Sequence, residues 1–197
     1  MIERAVLATR NPGKLGEFKT LFSGFIFELI SLKDLQNPPN IIEDGDTYKA
    51  NALKKAREIC AFTKDLTIAD DSGLEVEVLK GKPGVNSARY AGEYADDTDN
   101  IKKLLNEMQG KRDRRARFIC CLALVKPGGE EIVVEGICGG EILEKPRGNG
   151  GFGYDPVFLI NELDKTMAEL TIDEKNSLSH RAKAVNALLE VIKNKNM

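Results

Sequence analysis

The longest uninterrupted apolar run in the sequence, Phe118–Val125, is only eight residues long. A bilayer-spanning helix needs about 20, whereas eight residues suit a buried strand. Pro127-Gly128-Gly129 follows, and then a second strand-like stretch, Glu131–Cys138. Two strand patterns around a Pro-Gly-Gly turn form an antiparallel hairpin. Arg115–Val125 and Glu131–Cys138 therefore commit the chain to a sheet, and the flanking segments must pack onto it. Arg4–Thr9 reads as a short buried strand, broken by Asn11-Pro12-Gly13. Lys14–Phe22 follows with helical spacing, placing Leu15, Phe18, Leu21 and Phe22 on one stripe. Phe27–Ile30 is a second strand, and Ser31–Gly45 is a long polar loop containing Pro38, Pro39 and the acidic pair Glu43-Asp44. Asp46–Thr63 is an amphipathic helix with Tyr48, Ala52, Leu53, Ala56, Ile59 and Cys60 on its apolar side. Leu66–Ala69 is a strand running into Asp70-Asp71-Ser72-Gly73, and Leu74–Leu79 continues as strand. Gly81–Gly92 and Gly148–Asp155 read as glycine-rich loops, Thr98–Gln109 as a helix ended by Gly110, and Val157–Ile160 as a strand. Ser179 reads as the N-cap of a last helix running to about Ile192. The expectation is a mixed α/β fold with two lobes and a cleft between them. No linker or repeat divides residues 1–197, so they are taken as a single domain.

Composition narrows the class. Apolar residues make up 42%, enough for a sizeable core, and 29 basic against 31 acidic residues give a net charge of −2. That balance argues against a duplex-binding protein. Met1-Ile2-Glu3-Arg4 lacks the charged-then-apolar layout of a secretory signal. Cys60, Cys120, Cys121 and Cys138 have no C-x-x-C spacing, and the single histidine cannot readily complete a zinc site. They are expected to be reduced core thiols of a cytoplasmic protein, with Cys120 and Cys121 on opposite faces of a strand.

Four segments carry chemistry. Thr9-Arg10-Asn11-Pro12-Gly13-Lys14 lies between strand and helix, where free N–H groups and the positive dipole end suit a phosphate. Its spacing is not that of a Walker A loop, and the plain alternative is an ordinary strand–helix turn. Asp70-Asp71-Ser72 sets two carboxylates at the end of an apolar strand. Buried like charges are costly unless paired or metal-bound, and an acidic oxygen cluster suits Mg²⁺. One carboxylate can hold metal while the other takes a proton from water; a solvated turn is the alternative. Gly148–Gly153 matches G-x-G-x-x-G, but Tyr154-Asp155-Pro156 follows where a dinucleotide-binding motif opens a helix. These glycines instead let backbone approach a flat ligand, on which Phe152 or Tyr154 can stack; a plain loop is the alternative. Lys175-Asn176-Ser177-Leu178-Ser179-His180-Arg181 puts two cations in the first turn of a helix, against its macrodipole. Facing a ligand's acceptor atoms is one reason for that placement, and a surface cap is the other. Arg89, Lys80 and Lys82 are weaker candidates.

These segments together resemble the inosine triphosphate pyrophosphatase family, hydrolases of non-canonical purine nucleoside triphosphates. The matching pieces are Thr9-x-Asn11-x-x-Lys14, Ala69-Asp70-Asp71-Ser72-Gly73-Leu74, and Pro83-Gly84 with Ser87-Ala88-Arg89-Tyr90. Phe152-Gly153-Tyr154-Asp155-Pro156-Val157-Phe158 and Ser179-His180-Arg181-x-x-Ala184 complete the set, in the family's order, from Thr9 to Ala184. The resemblance implies a long mixed sheet with helices and two lobes flanking a central active-site cleft. It implies hydrolysis of dITP, ITP, XTP and dXTP to the monophosphate and pyrophosphate with Mg²⁺, by a homodimer. Thr9, Arg10, Asn11, Pro12, Gly13 and Lys14 would hold phosphates, Asp71 would act as general base and Ser72 would contact substrate. Phe152, Gly153, Tyr154, Asp155, Lys175, His180 and Arg181 would surround base and sugar. Asp71 and Glu43, or its neighbour Asp44, would hold the metal. Arg10 stands where many members have Gly, and Ala50 where an acidic residue is frequent; Arg10 would crowd the phosphates or add charge there.

The chemistry agrees with this reading. Phosphoryl transfer needs charge neutralisation and positioning more than covalent catalysis. Hypoxanthine and xanthine carry a carbonyl at C6 where adenine carries an amino group, and His180 or Arg181 can donate to a carbonyl. Two rivals remain at this stage. One is a pyrophosphatase for other modified nucleotides. The other is a nucleotide- or nucleic-acid-binding module without catalysis, which the paired Asp70-Asp71 disfavours because carboxylates repel phosphates. The expected partners are the nucleotide substrate and a second copy of the chain, with no nucleic acid and no membrane.

Overall fold

The computed structural model describes residues 3–24 and 27–195; Met1 and Ile2, on which the signal-peptide reading partly rests, lie outside them. The opening alternates strand and helix: β1 (Glu3–Leu7), α1 (Pro12–Leu21), β2 (Phe27–Ser31), α2 (Tyr48–Thr63) and β3 (Leu66–Val76). Then come α3 (Asp97–Glu107), the long strands β4 (Arg115–Val125) and β5 (Glu131–Ile142), and the short strands β6 (Phe158–Ile160) and β7 (Lys165–Thr166). Two helices, α4 (Ile172–Leu178) and α5 (His180–Asn194), end the described chain. The strands form one sheet in the order β2-β1-β3-β4-β5-β6-β7. The expected α/β class with a mixed sheet is what the structure has. β1 runs parallel to β2 and β3, while β6 is antiparallel to β5 and β7. Lys126 N–H donates to the Glu130 carbonyl at 2.9 Å and Ile142 N–H to that of Arg114 at 2.9 Å. These bonds close the hairpin of β4 and β5 that the Pro-Gly-Gly turn foretold.

Contacts divide the chain into two units. One comprises Met1–Asp71, Cys120–Gly136 and Arg181–Met197; the other comprises Ser72–Ile119 and Ile137–His180. In the first, Leu7, Phe18, Ile68, Leu122 and Leu188 form a core with essentially no exposure. In the second, Leu74, Leu104, Met108, Phe158 and Met167 do the same. All four cysteines are buried and unbridged, as expected. Among the described residues no helix is long and apolar enough to cross a membrane.

Topology gives the first unit a switch point. The chain steps from β1 out to its neighbour β2, then returns past β1 to β3. Right-handed crossovers send α1 and α2 to opposite faces of the sheet. The strand order thus reverses between β1 and β3, the position at which α/β sheets bind ligands beyond their strands' carboxyl ends. Ala8 N–H donates to the Ile68 carbonyl at 2.7 Å, which brings the chain after β1 alongside the approach to Asp70.

Three expectations change. The solvated-turn alternative for Asp70-Asp71-Ser72-Gly73 falls, because β3 runs unbroken through it to Val76, short of the expected Leu79, and nearly every residue is buried. Asn11-Pro12-Gly13 does not precede the first helix: Asn11 caps it, and Pro12 occupies its first position, where a missing N–H costs nothing. Ser179 directly precedes the last helix, α5, as expected, but it also terminates a separate helix, α4, that the sequence reading missed. That helix is announced by a capping box from Thr171 to Glu174.

Candidate active site

In the first unit the α1 cap shapes an anion seat. Asn11 Oδ1 accepts from Lys14 N–H at 3.0 Å, and Thr9 Oγ1 accepts from Asn11 N–H at 3.3 Å while keeping its own O–H to donate. The Thr9–Lys14 turn therefore presents a hydroxyl, the Gly13 N–H and an ammonium, the N–H groups of Asn11 and Lys14 being engaged within it. Arg10 turns away from that role. Its Nη2 donates to the carbonyls of Pro38 and Pro39 at 3.2 and 3.3 Å, so it anchors the polar loop rather than crowding the phosphate seat.

Alternation along β3 separates the two aspartates. Asp70 has no exposed side-chain surface and pairs with Lys14 Nζ at 2.8 Å. Burial opposes its charge, but Lys14, Lys55 and Arg181 outweigh burial and hold the carboxyl well below the usual carboxylate range. Asp71 Oδ2 accepts from Asn51 Nδ2 at 2.9 Å. Burial, with the nearby Glu43 charge adding to it, pushes the Asp71 carboxyl above its ordinary value despite Lys55, Lys14 and Asn51. Two neighbours thus differ in kind: Asp70 is a fixed ion-pair partner and Asp71 the more basic group. Environments that push two carboxylates apart in this way assign acid–base roles.

Lys55 and Asn51 are the residues that sequence reasoning missed. Both are buried in α2, on the face that carries Ala52, Ala56 and Ile59. Lys55 pairs with Glu43 Oε2 at 3.0 Å. Burial opposes its charge, while Asp70, Glu43 and Asp71 hold the ammonium protonated above the ordinary lysine range. Polar residues at core positions of a helical period were the available signal. Geometry sets Glu43 and Asp44 apart: Asp44 is exposed and bonded to Lys54 at 2.6 Å, whereas Glu43 acts on Asp71 electrostatically. Among the described residues no three His, Cys, Asp or Glu side chains form a cation cage. The pair Glu43 and Asp71 nonetheless fits Mg²⁺, which commonly takes one or two carboxylates and completes its shell with water and phosphate oxygens.

Arg181, at the start of α5, is buried and donates through Nη1 to Glu17 Oε2 at 2.8 Å. Its neighbour His180 belongs to the second unit and stacks on Phe118, with centroids 4.8 Å apart and planes at 16°. The two donors expected to act side by side are therefore held by different partners, and neither is a surface cap.

In the second unit the glycine loop turns about Asp155. This carboxylate is buried, accepting from Lys175 Nζ at 2.6 Å and from Phe152 N–H at 3.0 Å. A Cβ on Gly151 would lie 2.1 Å from Asp155 Oδ2, so only glycine permits the approach. Asp155 thus holds Lys175 and is not directed at a base. Tyr154 also leaves its expected role: its ring is buried and its hydroxyl donates to the Ser87 carbonyl at 2.9 Å. Phe152 remains the stacking candidate, with Lys175 Nζ 5.2 Å from its ring centroid. Gly153 N–H is bound to Asp97 at 2.6 Å. Ser72, half-buried, opens the second unit's part of β3.

A doubly wound opening with an anion seat and a split carboxylate pair at its switch point defines an α/β phosphate-handling class. Comparison with known proteins narrows it. Residues 5–191 match the model of the Ham1 family. A dITP/XTP pyrophosphatase of Shouchella clausii is 53% identical over 189 residues, 95% of each chain. The dITP/XTP pyrophosphatase of Bacillus subtilis is 47% identical over 194 residues, 98% of each. The solved Ham1 protein of Staphylococcus aureus superposes with a TM-score of 0.88 at 40% identity, covering 98% of this chain and all of that one. A nucleoside-triphosphatase / dITP/XTP pyrophosphatase of Mycobacterium abscessus gives 0.75 at 42% identity, covering 96% and 99%. The chain belongs to the Ham1 family.

Proposed function

We propose that this chain is a nucleoside-triphosphate pyrophosphatase that hydrolyses dITP, ITP, XTP and dXTP to the monophosphate and pyrophosphate, cleansing the nucleotide pool. The observation that carries the mechanism is the split between Asp70, locked on Lys14, and Asp71, buried but the more basic. Thr9, Asn11, Pro12, Gly13 and Lys14 seat the phosphates, with Lys55 adding charge. Asp71 takes a proton from water; the water oxygen bonds to phosphorus, the anhydride between the α- and β-phosphates breaks, and pyrophosphate leaves. Glu43 and Asp71 would hold Mg²⁺, which when bound neutralises phosphate charge. Phe152 stacks on the base, Lys175 and Ser72 contact the nucleoside side, and His180 and Arg181 serve the purine's oxygen-bearing edge. The chain works as a single domain, as a homodimer, in the cytoplasm; four buried unbridged cysteines favour that compartment.

Incubated with ITP and Mg²⁺, the protein should release IMP and pyrophosphate in equal amounts. Release of IDP and orthophosphate would overturn the reading. Base selection has its own test. Removing a charged hydrogen bond costs about 1.5–3 kcal/mol, so Arg181→Ala should lower kcat/KM on ITP by roughly ten- to a hundredfold and less on ATP. An equal loss on both nucleotides would move Arg181 to the phosphates, beside Glu17 and Asp70.

A further inference from the structure

Asn51 stands out as a buried amide, 1% exposed, on the core face of α2. Its Oδ1 accepts from Gly45 N–H at 2.8 Å. Its Nδ2 donates to the Gly45 carbonyl at 3.3 Å and to Asp71 Oδ2 at 2.9 Å. Both amide protons and the amide oxygen are thereby engaged, and the orientation is unique. Flipping the amide would set its NH₂ against Gly45 N–H and its oxygen against a carboxylate.

We propose that Asn51 is a positioning residue for the reaction, fixing the Asp71 carboxylate and the backbone of the Glu43–Gly45 loop with one side chain. It rests on the reading of Asp71 as general base given above. The bond to Oδ2 sets the carboxylate plane, so that Oδ1 is the oxygen turned to the attacking water. The two bonds to Gly45 hold the loop that carries Glu43 in register with that carboxylate. Proton transfer tolerates little misplacement, since reacting atoms must sit about 3–3.5 Å apart.

The residue type is dictated by this geometry. Aspartate keeps the acceptor for Gly45 N–H but sets an oxygen against Asp71 Oδ2. Serine lacks the second donor, and glutamine is a methylene too long. Gly45 is fitted to the same contact: a Cβ there would lie 2.7 Å from Asn51 Oδ1 and 2.9 Å from the Ala50 Cβ. Substituting Gly45 therefore disturbs the clamp while leaving Asn51 and Asp71 chemically intact.

The test is a double-mutant cycle on ITP, with folding checked by thermal melts. Asn51→Asp and Gly45→Ala should each lower kcat by roughly ten- to a hundredfold with KM changed by less than about threefold, the pattern of an interaction needed in the transition state. In an Asp71→Asn background, assayed at higher enzyme concentration, Asn51→Asp should cost less than about threefold more, because residues acting through one another are not additive. The same full loss in that background, or wild-type kcat in both single variants, would overturn the proposal. Amide hydrogen exchange at Gly45 reads the clamp without turnover: protection should be present in the wild type and lost in Asn51→Ala. Protection retained in that variant would also overturn it. A wild-type protein that releases no pyrophosphate from ITP, with Gly45 protected through Asn51, would sink the reaction assigned above and leave the clamp standing.

Discussion

Replacing Asp71 with asparagine should lower kcat on ITP by about 10²–10⁴-fold, the usual worth of a positioned base, while the folded protein becomes more heat-stable. Asparagine keeps an oxygen for Asn51 Nδ2 but cannot accept the water's proton. Asp70 cannot take over, because it is fully buried in its pair with Lys14 and is held weakly basic. The gain in stability follows from the upward shift at Asp71, caused first by burial. An acid whose proton affinity rises on folding opposes folding wherever it is ionised. That cost is present at neutral pH and disappears as pH falls below the unfolded carboxylate value, about 3.9, where both states hold the proton. The melting temperature of Asp71→Asn should thus exceed that of the wild type at pH 7, by roughly 2–4 °C for each kcal/mol relieved, and the two should converge near pH 4. The melts belong in buffer without divalent cations, since a ligand bound only by the folded wild type would raise its melting temperature by mass action. Retained turnover in a folded sample would remove Asp71 from the role. A lower melting temperature would instead make Asp71 a stabilising partner of Lys55.

The helix start after β1 and the carboxylate pair within β3 were legible in the sequence because their signals are local. A strand followed by a break and the Leu15, Phe18, Leu21 and Phe22 stripe leaves little choice but a helix, although the Asn11 cap came only with the structure, and two carboxylates after Leu66–Ala69 are out of place in any ordinary strand. What was illegible depended on contacts across the chain. Asp70 and Asp71 look alike as residues, and their surroundings make them different: Lys14, Lys55 and Arg181 hold Asp70 ionised, while burial and Glu43 raise Asp71 despite Asn51. Tyr154 and Phe152 are likewise interchangeable in a glycine loop until Ser87 captures the tyrosine hydroxyl. Arg10 read as a departure near the phosphates, yet two carbonyls of a loop far along the chain hold it. Asn51 and Lys55 were hidden by expecting an apolar stripe to be apolar throughout. At functional sites that expectation fails for a physical reason: the core face of a helix is also the face that reaches a buried carboxylate.

Lys14 is assigned two tasks, and the structure allows them to be separated. Its ammonium neutralises Asp70, which has no exposed side-chain surface, and 16% of its own side chain stays exposed, where the proposed reading has it meet the phosphates. Breaking one partner out of a buried pair costs about 3–5 kcal/mol, because the other charge is left uncompensated. Lys55 and Arg181 still act on Asp70, so the lower end applies, about 3 kcal/mol, or roughly 6–12 °C in melting temperature. Lys14→Met should therefore melt well below the wild type and lose most turnover. Adding Asp70→Asn removes the stranded charge and should recover most of the melting temperature. It should not recover turnover, because the ammonium that meets the phosphates is still missing. Since the Asp70 carboxyl is held below the usual range, the penalty in Lys14→Met should be full at neutral pH and fade as acid protonates Asp70. Recovery of both properties in the double variant would mean that Lys14 serves only to neutralise Asp70, and the proposed phosphate seat would then rest on Thr9, Asn11 and the Gly13 N–H alone. Recovery of neither would mean that Asp70 itself is required beyond its charge pair.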